Sequence, residues 1–414
     1  MQRAVSRLSF VLIALAVTSI VVLVAWPSLP SWAGDSGWYL AIAQGRLEEV
    51  RQPYARRILH PYVARWIAEL FGVSLDSAFR ALGIVSVFVT SSIVAWLFRS
   101  GRILAFPLLA TPALLLIFRD YYMPDIFYAG ILGILFVLLR KESPAAFLVL
   151  AVLFVAREST VLVSLMLVLY AILHRRPKLA AATLIASTVG TLIPVLATTG
   201  SQSNIHDLSG PLYLALKVPF NVMRNIFGAE LWVSTLGGCD DPVWTWTVPP
   251  SLRVGSVEAV GLCRFWAQRP LSLATYLLTS FGVLPVVFFH LRRRFRGRAR
   301  SLPMWVFVAG GAGLLSLVLT PGLGLALDRL ITYAWPLFWI ATPYLVSELP
   351  TSNVPWARLA LLHTALCWIP WLLGWTPWSE VQVFMASIAI AIPLQLVALK
   401  SIRRLPLVPD RDLI

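Results

Sequence analysis

Long apolar runs separated by short polar segments cover most of the chain. Many of the runs approach the roughly 20 residues that a helix needs to cross a bilayer core about 30 Å thick. We therefore predict a transmembrane helix wherever such a run occurs. The twelve predicted spans are residues 8–26, 80–98, 103–118, 126–139, 145–156, 159–173, 179–198, 271–290, 302–320, 330–347, 357–373 and 381–399.

Composition supports this interpretation of the pattern. Of the 414 residues, 58% are hydrophobic and 13% are charged, about half the roughly 25% charged share of soluble domains. This excludes a water-soluble fold and predicts an all-α polytopic integral membrane protein with about 12 transmembrane helices (10–13). We expect one transmembrane domain over residues 1–414, with a first outer loop at 28–79, an outer lid loop at 199–270 and a cytoplasmic tail at 400–414.

The distribution of charge orients the chain. With the N-terminus in the cytoplasm, 20 of the 34 basic residues lie on the cytoplasmic side, and all but four of the 19 acidic residues lie at the outer side. This is the asymmetry that the positive-inside rule describes. We therefore attribute the net charge of +15 to basic residues that set the membrane topology and not to a nucleic-acid-binding site. We expect a multi-pass protein of the inner (plasma) membrane whose active site faces the extracytoplasmic side.

Three cysteines and five scattered histidines offer no metal-ligand spacing. Any chemistry is therefore expected from carboxylates and arginines. Cys239 and Cys263 share the lid loop and are candidates for a disulfide in an oxidising compartment, whereas Cys367 falls in a predicted span.

Two predicted hairpins are too short to cross the membrane fully. The run 145–173 must turn at Arg157 and Glu158, because a single span would put a basic cluster on the wrong side. About twelve residues at ~1.5 Å each reach only ~17 Å, so this turn lies at membrane depth. The predicted spans on either side of the segment 119–125 are also short, so this segment is expected at membrane depth as well. Charged, irregular backbone at depth needs a water-filled cavity or protein around it, so we predict an outward-facing polar cavity.

The two long outer loops frame this cavity. After Pro61, aromatic and aliphatic residues recur at helical spacing with Arg65 and Glu69 on the other face. This pattern predicts an interfacial helix lying in the headgroup plane. The lid loop is rich in tryptophan and proline and is expected to pack over the cavity and not to form a separate domain.

The acidic candidates each have two interpretations. Asp35 precedes a short apolar helix and is either its N-cap or a reactive acid. Asp120 and Asp125 either cap a span or pair with Arg119, and Glu158 forms a structural pair with Arg157 or contacts a ligand. Acids from three outer segments converge on the predicted cavity, and intramembrane ionisable groups are functional candidates by default.

The cationic candidates are also open to two interpretations. Arg56, Arg57 and His60 either anchor lipid headgroups beside the interfacial helix or recognise a phosphate, which suits the planar fork of donors of arginine. Arg329 is a further cation at the outer edge, with a membrane anchor as its alternative.

The first outer loop resembles that of the polytopic C-type glycosyltransferases. The resemblance rests on residues 34–43, Gly-Asp-Ser-Gly-Trp-Tyr-Leu-Ala-Ile-Ala, and on residues 56–61, Arg-Arg-Ile-Leu-His-Pro. It is closest to the PIG-V-like mannosyltransferases, which carry Trp-Asp-x-x-Trp-Tyr-x-x-Ile-Ala after their first span. Here Gly34 replaces the first Trp, and no second acid adjoins Asp35.

The resemblance implies a membrane glycosyltransferase of cell-envelope glycan biosynthesis that uses a polyprenyl-phosphate-linked sugar. It moves mannose, or another hexose or pentose, to a hydroxyl of a glycan, lipid or protein acceptor with inversion. Asp35 is then the catalytic base. The implied substrate contacts are Tyr39, Arg56, Arg57, His60, Asp120, Asp125, Arg157, Glu158 and Arg329, with a divalent cation (Mg or Mn) as a candidate cofactor beside the acids.

Two alternatives stay open at this point. A flippase or carrier for a lipid-linked saccharide would use the same cavity, but it should show related halves and charges on both sides of the midplane. The outer bias of the acidic residues favours an enzyme. A polysaccharide polymerase or ligase would share the chemistry and consume a lipid-linked oligosaccharide.

The predicted orientation is tested with single cysteines in a background that lacks the three native ones. Cysteines near residues 50 and 250 should react with an impermeant thiol reagent in intact cells, because both loops are expected outside. A cysteine near residue 296, in the arginine-rich segment, should stay unlabelled. Labelling at 296 alone would reverse the topology.

Overall fold

The structure, a computed structural model, describes residues 2–25, 35–98, 109, 111–198, 210–234, 239, 241–253, 257–295, 302–323, 327, 331, 334–347 and 356–403. Within these ranges the chain forms sixteen α-helices and three β-strands. The helices are α1 (Gln2–Ala25), α2 (Ser36–Ala43), α3 (Leu59–Phe71), α4 (Leu75–Leu97), α5 (Pro112–Arg119), α6 (Asp125–Arg140), α7 (Ala145–Ala156), α8 (Thr160–Leu173), α9 (Pro177–Ala197), α10 (Gly210–Phe227), α11 (Gln268–Thr279), α12 (Leu284–Phe295), α13 (Met304–Leu323), α14 (Trp335–Ser347), α15 (Trp356–Leu373) and α16 (Glu380–Arg403).

Helices occur at each of the twelve predicted places. Five of them, α4, α9, α13, α15 and α16, are long and apolar enough to cross a membrane, and the bent pair of α11 and α12 makes a sixth. The chain is thus a mainly helical polytopic membrane protein, as predicted. The count of twelve crossings stays a prediction, and much of the span 103–118 lies outside the described residues.

The predicted turn at Arg157 is present. α7 ends at Ala156, Arg157 is extended, and α8 begins at Thr160. The Thr160 hydroxyl donates to the carbonyl oxygen of Leu153 at 3.0 Å and to that of Arg157 at 2.7 Å. Both carbonyl oxygens also accept backbone N–H groups, that of Leu153 from Arg157 at 2.8 Å and that of Arg157 from Thr160 at 3.3 Å, so the hydroxyl adds a second contact to the turn.

In α3 the small side chains are buried and the large apolar ones are exposed. Its small residues Ala64 and Ala68 are buried against the protein, whereas Trp66, Leu70 and Phe71 are exposed. A helix in water would bury its large apolar side chains. The arrangement fits a helix that lies on the membrane with its aromatic face in the interface.

The bend between α11 and α12 measures 69°. It frees backbone groups that a continuous helix would pair internally, and two neighbouring helices supply partners for them. His363 of α15 accepts the backbone N–H of Val283 at 3.4 Å. Gln395 of α16 donates to the carbonyl oxygens of Leu278 and Gly282, at 3.1 and 2.7 Å. Irregular backbone at membrane depth is stable only when it is satisfied in this way.

The lid loop contains structure that the sequence did not predict. Three antiparallel strands, β1 (Ala229–Val233), β2 (Trp244–Thr247) and β3 (Ala259–Phe265), pair in the order β1-β3-β2. In the structure Cys239 and Cys263 form a disulfide. The preceding helix, α10, is joined to α13 by Asn225, whose side-chain amide donates to the carbonyl oxygen of Pro321 at 2.8 Å.

The role of Gln395 at the bend is testable with Gln395→Leu, a change of similar volume. Two carbonyl oxygens in the membrane lose their donor, and an unsatisfied buried polar group costs roughly 1–3 kcal/mol. The free energy of unfolding, measured by SDS titration in mixed micelles, should fall by about that amount.

The matched control is Leu396→Ala, one residue further along α16 at an exposed position. It should change the free energy of unfolding far less. Equal values for the two variants would show that Gln395 does not stabilise the bend.

Candidate active site

Asp35 occupies the N-cap position of α2, but its side chain does not cap the helix. Its backbone is itself helical, with φ −60° and ψ −27°, and its carboxylate accepts no capping hydrogen bond. The half-buried carboxylate is instead hydrogen-bonded to the hydroxyl of Tyr54. The interpretation of Asp35 as a helix cap is therefore not what the structure shows.

Tyr54 is held in place by aromatic neighbours. Its ring stacks on that of Trp38, with 6.3 Å between centroids, and meets the edge of Tyr39 at 6.1 Å. Burial, together with the hydrogen bond to the Asp35 carboxylate, raises the pKa of the Tyr54 hydroxyl. The hydroxyl therefore stays protonated at neutral pH and acts as a donor to Asp35.

A second carboxylate adjoins this group. The hydroxyl of the buried Ser36 donates to Oδ1 of Asp120 at 2.9 Å. Asp120 follows the last residue of α5 and is half-buried. The start of α2 and the turn between α5 and α6 thus bring two acidic residues of the predicted site into one neighbourhood.

The turn that carries Asp120 is anchored by an acid that the sequence analysis did not single out. Asp76, in the first turn of α4, accepts hydrogen bonds from the hydroxyls of Tyr121, at 2.6 Å, and Tyr122. Arg80, one helical turn along α4, donates to the same carboxylate at 2.8 Å. The i,i+4 spacing of Asp76 and Arg80 was the available signal, but nothing in the sequence indicated that two tyrosines would share the pair.

Arg57 joins the first outer loop to the turn between α7 and α8. Its Nε donates to Oε2 of Glu158 at 2.8 Å, its Nη2 donates to Oε1, and its Nη1 donates to the Tyr39 hydroxyl at 2.9 Å. This two-bond pairing is the strongest geometry for an arginine and a carboxylate. The Arg57 side chain is 10% exposed and that of Glu158 is 52% exposed, so the carboxylate forms the outer side of the pair.

Arg157 forms the neighbouring pair with Asp125, the first residue of α6. Their side chains are only 5% and 3% exposed, and the Arg157 guanidinium lies over the ring of Tyr128, 6.0 Å from its centroid. A fully buried pair holds its two segments together strongly, because separating it leaves an uncompensated charge. The geometry assigns Asp125 and Arg157 a role in holding the site rather than one at its surface.

His60 does not reach the site surface. It is fully buried, with its ring 5.1 Å from that of Phe79 and 5.2 Å from that of Phe127. Burial lowers the pKa of His60 to about 3, so the ring is neutral at physiological pH. A buried neutral imidazole does not serve as a phosphate-binding cation.

Arg56 has the opposite environment. It ends a short 3₁₀ helix, Tyr54–Arg56, and its side chain is exposed. The remaining predicted cation, Arg329, lies outside the described residues. Within the described ranges no three His, Cys, Asp or Glu side chains come close enough together to hold a metal ion.

No protein-family model and no curated protein matches the chain. Two solved structures do, and both are ArnT from Cupriavidus metallidurans. The structure of ArnT bound to undecaprenyl phosphate has 15% sequence identity and a TM-score of 0.50, over 96% of this chain and 78% of that one. The apo structure has 16% identity and a TM-score of 0.47 over the same shares.

The likeness shows that this chain shares the fold of ArnT. The closer resemblance to PIG-V-like mannosyltransferases stays a prediction.

The structural role of Asp125 is testable with Asp125→Asn. This change leaves the Arg157 guanidinium buried without its counter-charge, and breaking a buried pair costs roughly 3–5 kcal/mol. The free energy of unfolding in mixed micelles should fall by a comparable amount.

The control is Glu69→Gln, which removes the carboxylate from the exposed Arg65–Glu69 pair on α3. Exposed pairs contribute little, so this variant should unfold like the wild type. If Asp125→Asn were equally stable, the buried pair would not hold the site.

Proposed function

We propose that the protein is a membrane glycosyltransferase that moves a sugar from a polyprenyl-phosphate donor to an acceptor hydroxyl at the extracytoplasmic face. The observation that carries the proposal is the Asp35 carboxylate. It is half-buried, does not cap α2, and lies beside Tyr54 and the Ser36–Asp120 hydrogen bond. The fold adds support, because it is that of ArnT, whose structure was solved bound to undecaprenyl phosphate.

The reaction is an inverting single displacement with Asp35 as general base. The acceptor oxygen attacks the anomeric carbon while its proton passes to the Asp35 carboxylate. The bond between the anomeric carbon and the phosphate oxygen breaks, and polyprenyl phosphate leaves with the electron pair. A general base must lie within about 3 Å of the hydroxyl that it deprotonates, which places the acceptor hydroxyl against Asp35.

The groups around Asp35 position it for this step. Tyr54 donates one hydrogen bond to the carboxylate and restricts its orientation. Ser36 and Asp120 fix the backbone at the start of α2 against the neighbouring turn. Asp120 and Glu158, at the partly exposed side of the site, are then suited to accept hydrogen bonds from sugar hydroxyls.

We assign the predicted arginines two different roles. Arg57 and Arg157 each hold a carboxylate and join segments of the site. Arg56 is exposed, and we assign it the stabilisation of the leaving phosphate. A guanidinium beside the leaving phosphate stabilises the charge that develops on it.

The identity of the sugar follows from no contact in the structure. Mannose, or another hexose or pentose, is the proposal that the resemblance of the first outer loop supports. No step of the proposed reaction is routed through a metal ion.

The decisive variant is Asp35→Asn, assayed with purified protein and labelled polyprenyl-phosphate sugars. The amide keeps an oxygen that accepts from Tyr54 but takes up no proton, so single-turnover transfer at saturating donor should fall about 10² to 10⁴-fold. Donor binding and detergent stability should stay near those of the wild type.

The matched control is Glu48→Gln, an exposed acid of the same loop, which should transfer normally. Near wild-type transfer by folded Asp35→Asn removes Asp35 from the mechanism. Donor binding without transfer by the wild type, accompanied by donor movement across vesicle membranes, identifies a carrier instead.

A further inference from the structure

The edge strand of the lid sheet exposes two large aromatic side chains. β2 reads Trp-Thr-Trp-Thr, and alternate residues of a strand point to the same face. Trp244 and Trp246 therefore share one face, roughly 7 Å apart along the strand. They are 57% and 41% exposed. Exposed apolar surface of this kind, grouped in one place, marks an interaction site.

This surface is rigid. Cys263 of β3 is joined by a disulfide to Cys239, five residues before β2 begins. At Gly261 of β3, an added Cβ would lie 2.7 Å from the carbonyl oxygen of Trp244, so the absence of a side chain lets β2 seat closely on β3. Aromatic side chains on a fixed backbone lose little conformational entropy when they bind a ligand.

The charges around the two indoles favour a neutral ligand. Between residues 241 and 252 the one charged side chain is that of Asp241. On the adjoining segments Arg253 pairs with Glu258, at 3.7 Å, and Arg264 shares Glu230 with Arg224, each at 2.7 Å. Surfaces that bind anionic lipid headgroups are rich in Lys and Arg, and the segment 241–252 that carries the two indoles has neither.

The chemistry of the two side chains matches a saccharide. A pyranose ring presents a face of C–H groups that packs flat on an indole, while its hydroxyls stay hydrated at the rim. Indoles combine a large apolar face with one N–H donor, which suits a ligand that is apolar on its faces and polar at its edges. Two such rings on one strand give room for successive sugar units.

We propose that Trp244 and Trp246 form a saccharide platform that binds the neutral glycan part of the acceptor. The proposal rests on the transferase function proposed above. β3 continues through Trp266 into α11, so the platform is attached directly to a helix of the membrane domain. It would hold the acceptor glycan at the outer face while its reactive hydroxyl meets the site at Asp35.

Binding is tested without any donor, so that the result does not depend on catalysis. The protein is placed in phosphatidylcholine nanodiscs, and manno-, gluco- and galacto-hexaose are titrated by saturation-transfer NMR. The double variant Trp244→Ala/Trp246→Ala should lose about tenfold or more in affinity. The double variant Trp244→Tyr/Trp246→Tyr, which keeps two aromatic faces, should retain most of it.

The control is Trp375→Ala, which removes a 76% exposed tryptophan from the turn between α15 and α16, outside the lid. It should bind like the wild type. Disulfide formation, read from the intact mass after alkylation without reductant, verifies that the lid of each variant is folded.

Three outcomes overturn the platform. They are unchanged affinity in the alanine double variant, no binding of any of the three hexaoses by the wild type, and loss of the quenching of tryptophan fluorescence by brominated lipid in both double variants. The last would assign the two indoles to the membrane.

The transfer assay separates this proposal from the proposed function. With acceptor glycan varied, the alanine double variant should raise KM about tenfold while kcat changes less than about twofold. Active transfer with an unchanged KM refutes the platform alone. Hexaose binding that depends on the two tryptophans, without any transfer by the wild type, refutes the transferase and leaves the platform.

Discussion

Charge compensation is the constraint on which the site depends. The turn between α7 and α8 holds Arg157 and Glu158 between two short apolar helices, in surroundings where an uncompensated charge is costly. Each is paired with a residue from another segment: Glu158 with Arg57 of the first outer loop, and Arg157 with Asp125 at the start of α6. Three stretches of chain that are distant in sequence are joined through two ion pairs.

The polar residues of the site fall into two groups, those that hold its framework and those proposed for chemistry. Side chains that satisfy one another hold the framework, and Asp76 does the same for the two tyrosines beside Asp120. The two residues that we propose for chemistry are more accessible: Asp35 is half-buried and Arg56 is exposed. A rigid set of buried pairs around a few accessible groups is how a site keeps its geometry without water reorganising inside it.

The lid and the bend between α11 and α12 follow the same requirement. The break between α11 and α12 is tolerated because His363 and Gln395 satisfy its backbone groups. The helix before the bend continues directly from β3, so the lid sheet is fixed to the membrane domain. The lid sheet is cross-linked by a disulfide, and the backbone groups at the bend that follows it have hydrogen-bond partners. The sheet is therefore a stable support for ligand contacts.

The sequence by itself determined the helices and the turn at Arg157, because hydropathy and run length belong to each segment alone. The proposed role of Asp35 rests on a local motif in the same way. Tertiary structure decided which polar groups are buried and which of them pair. His60 is buried in the core, Asp125 pairs with Arg157, and two tyrosines donate hydrogen bonds to Asp76. The lid sheet also depends on tertiary structure, because its strands have only four to seven residues and are too short for a clear alternation of apolar and polar residues. Partner choice depends on distances between remote segments, and no pattern along a single segment contains those distances.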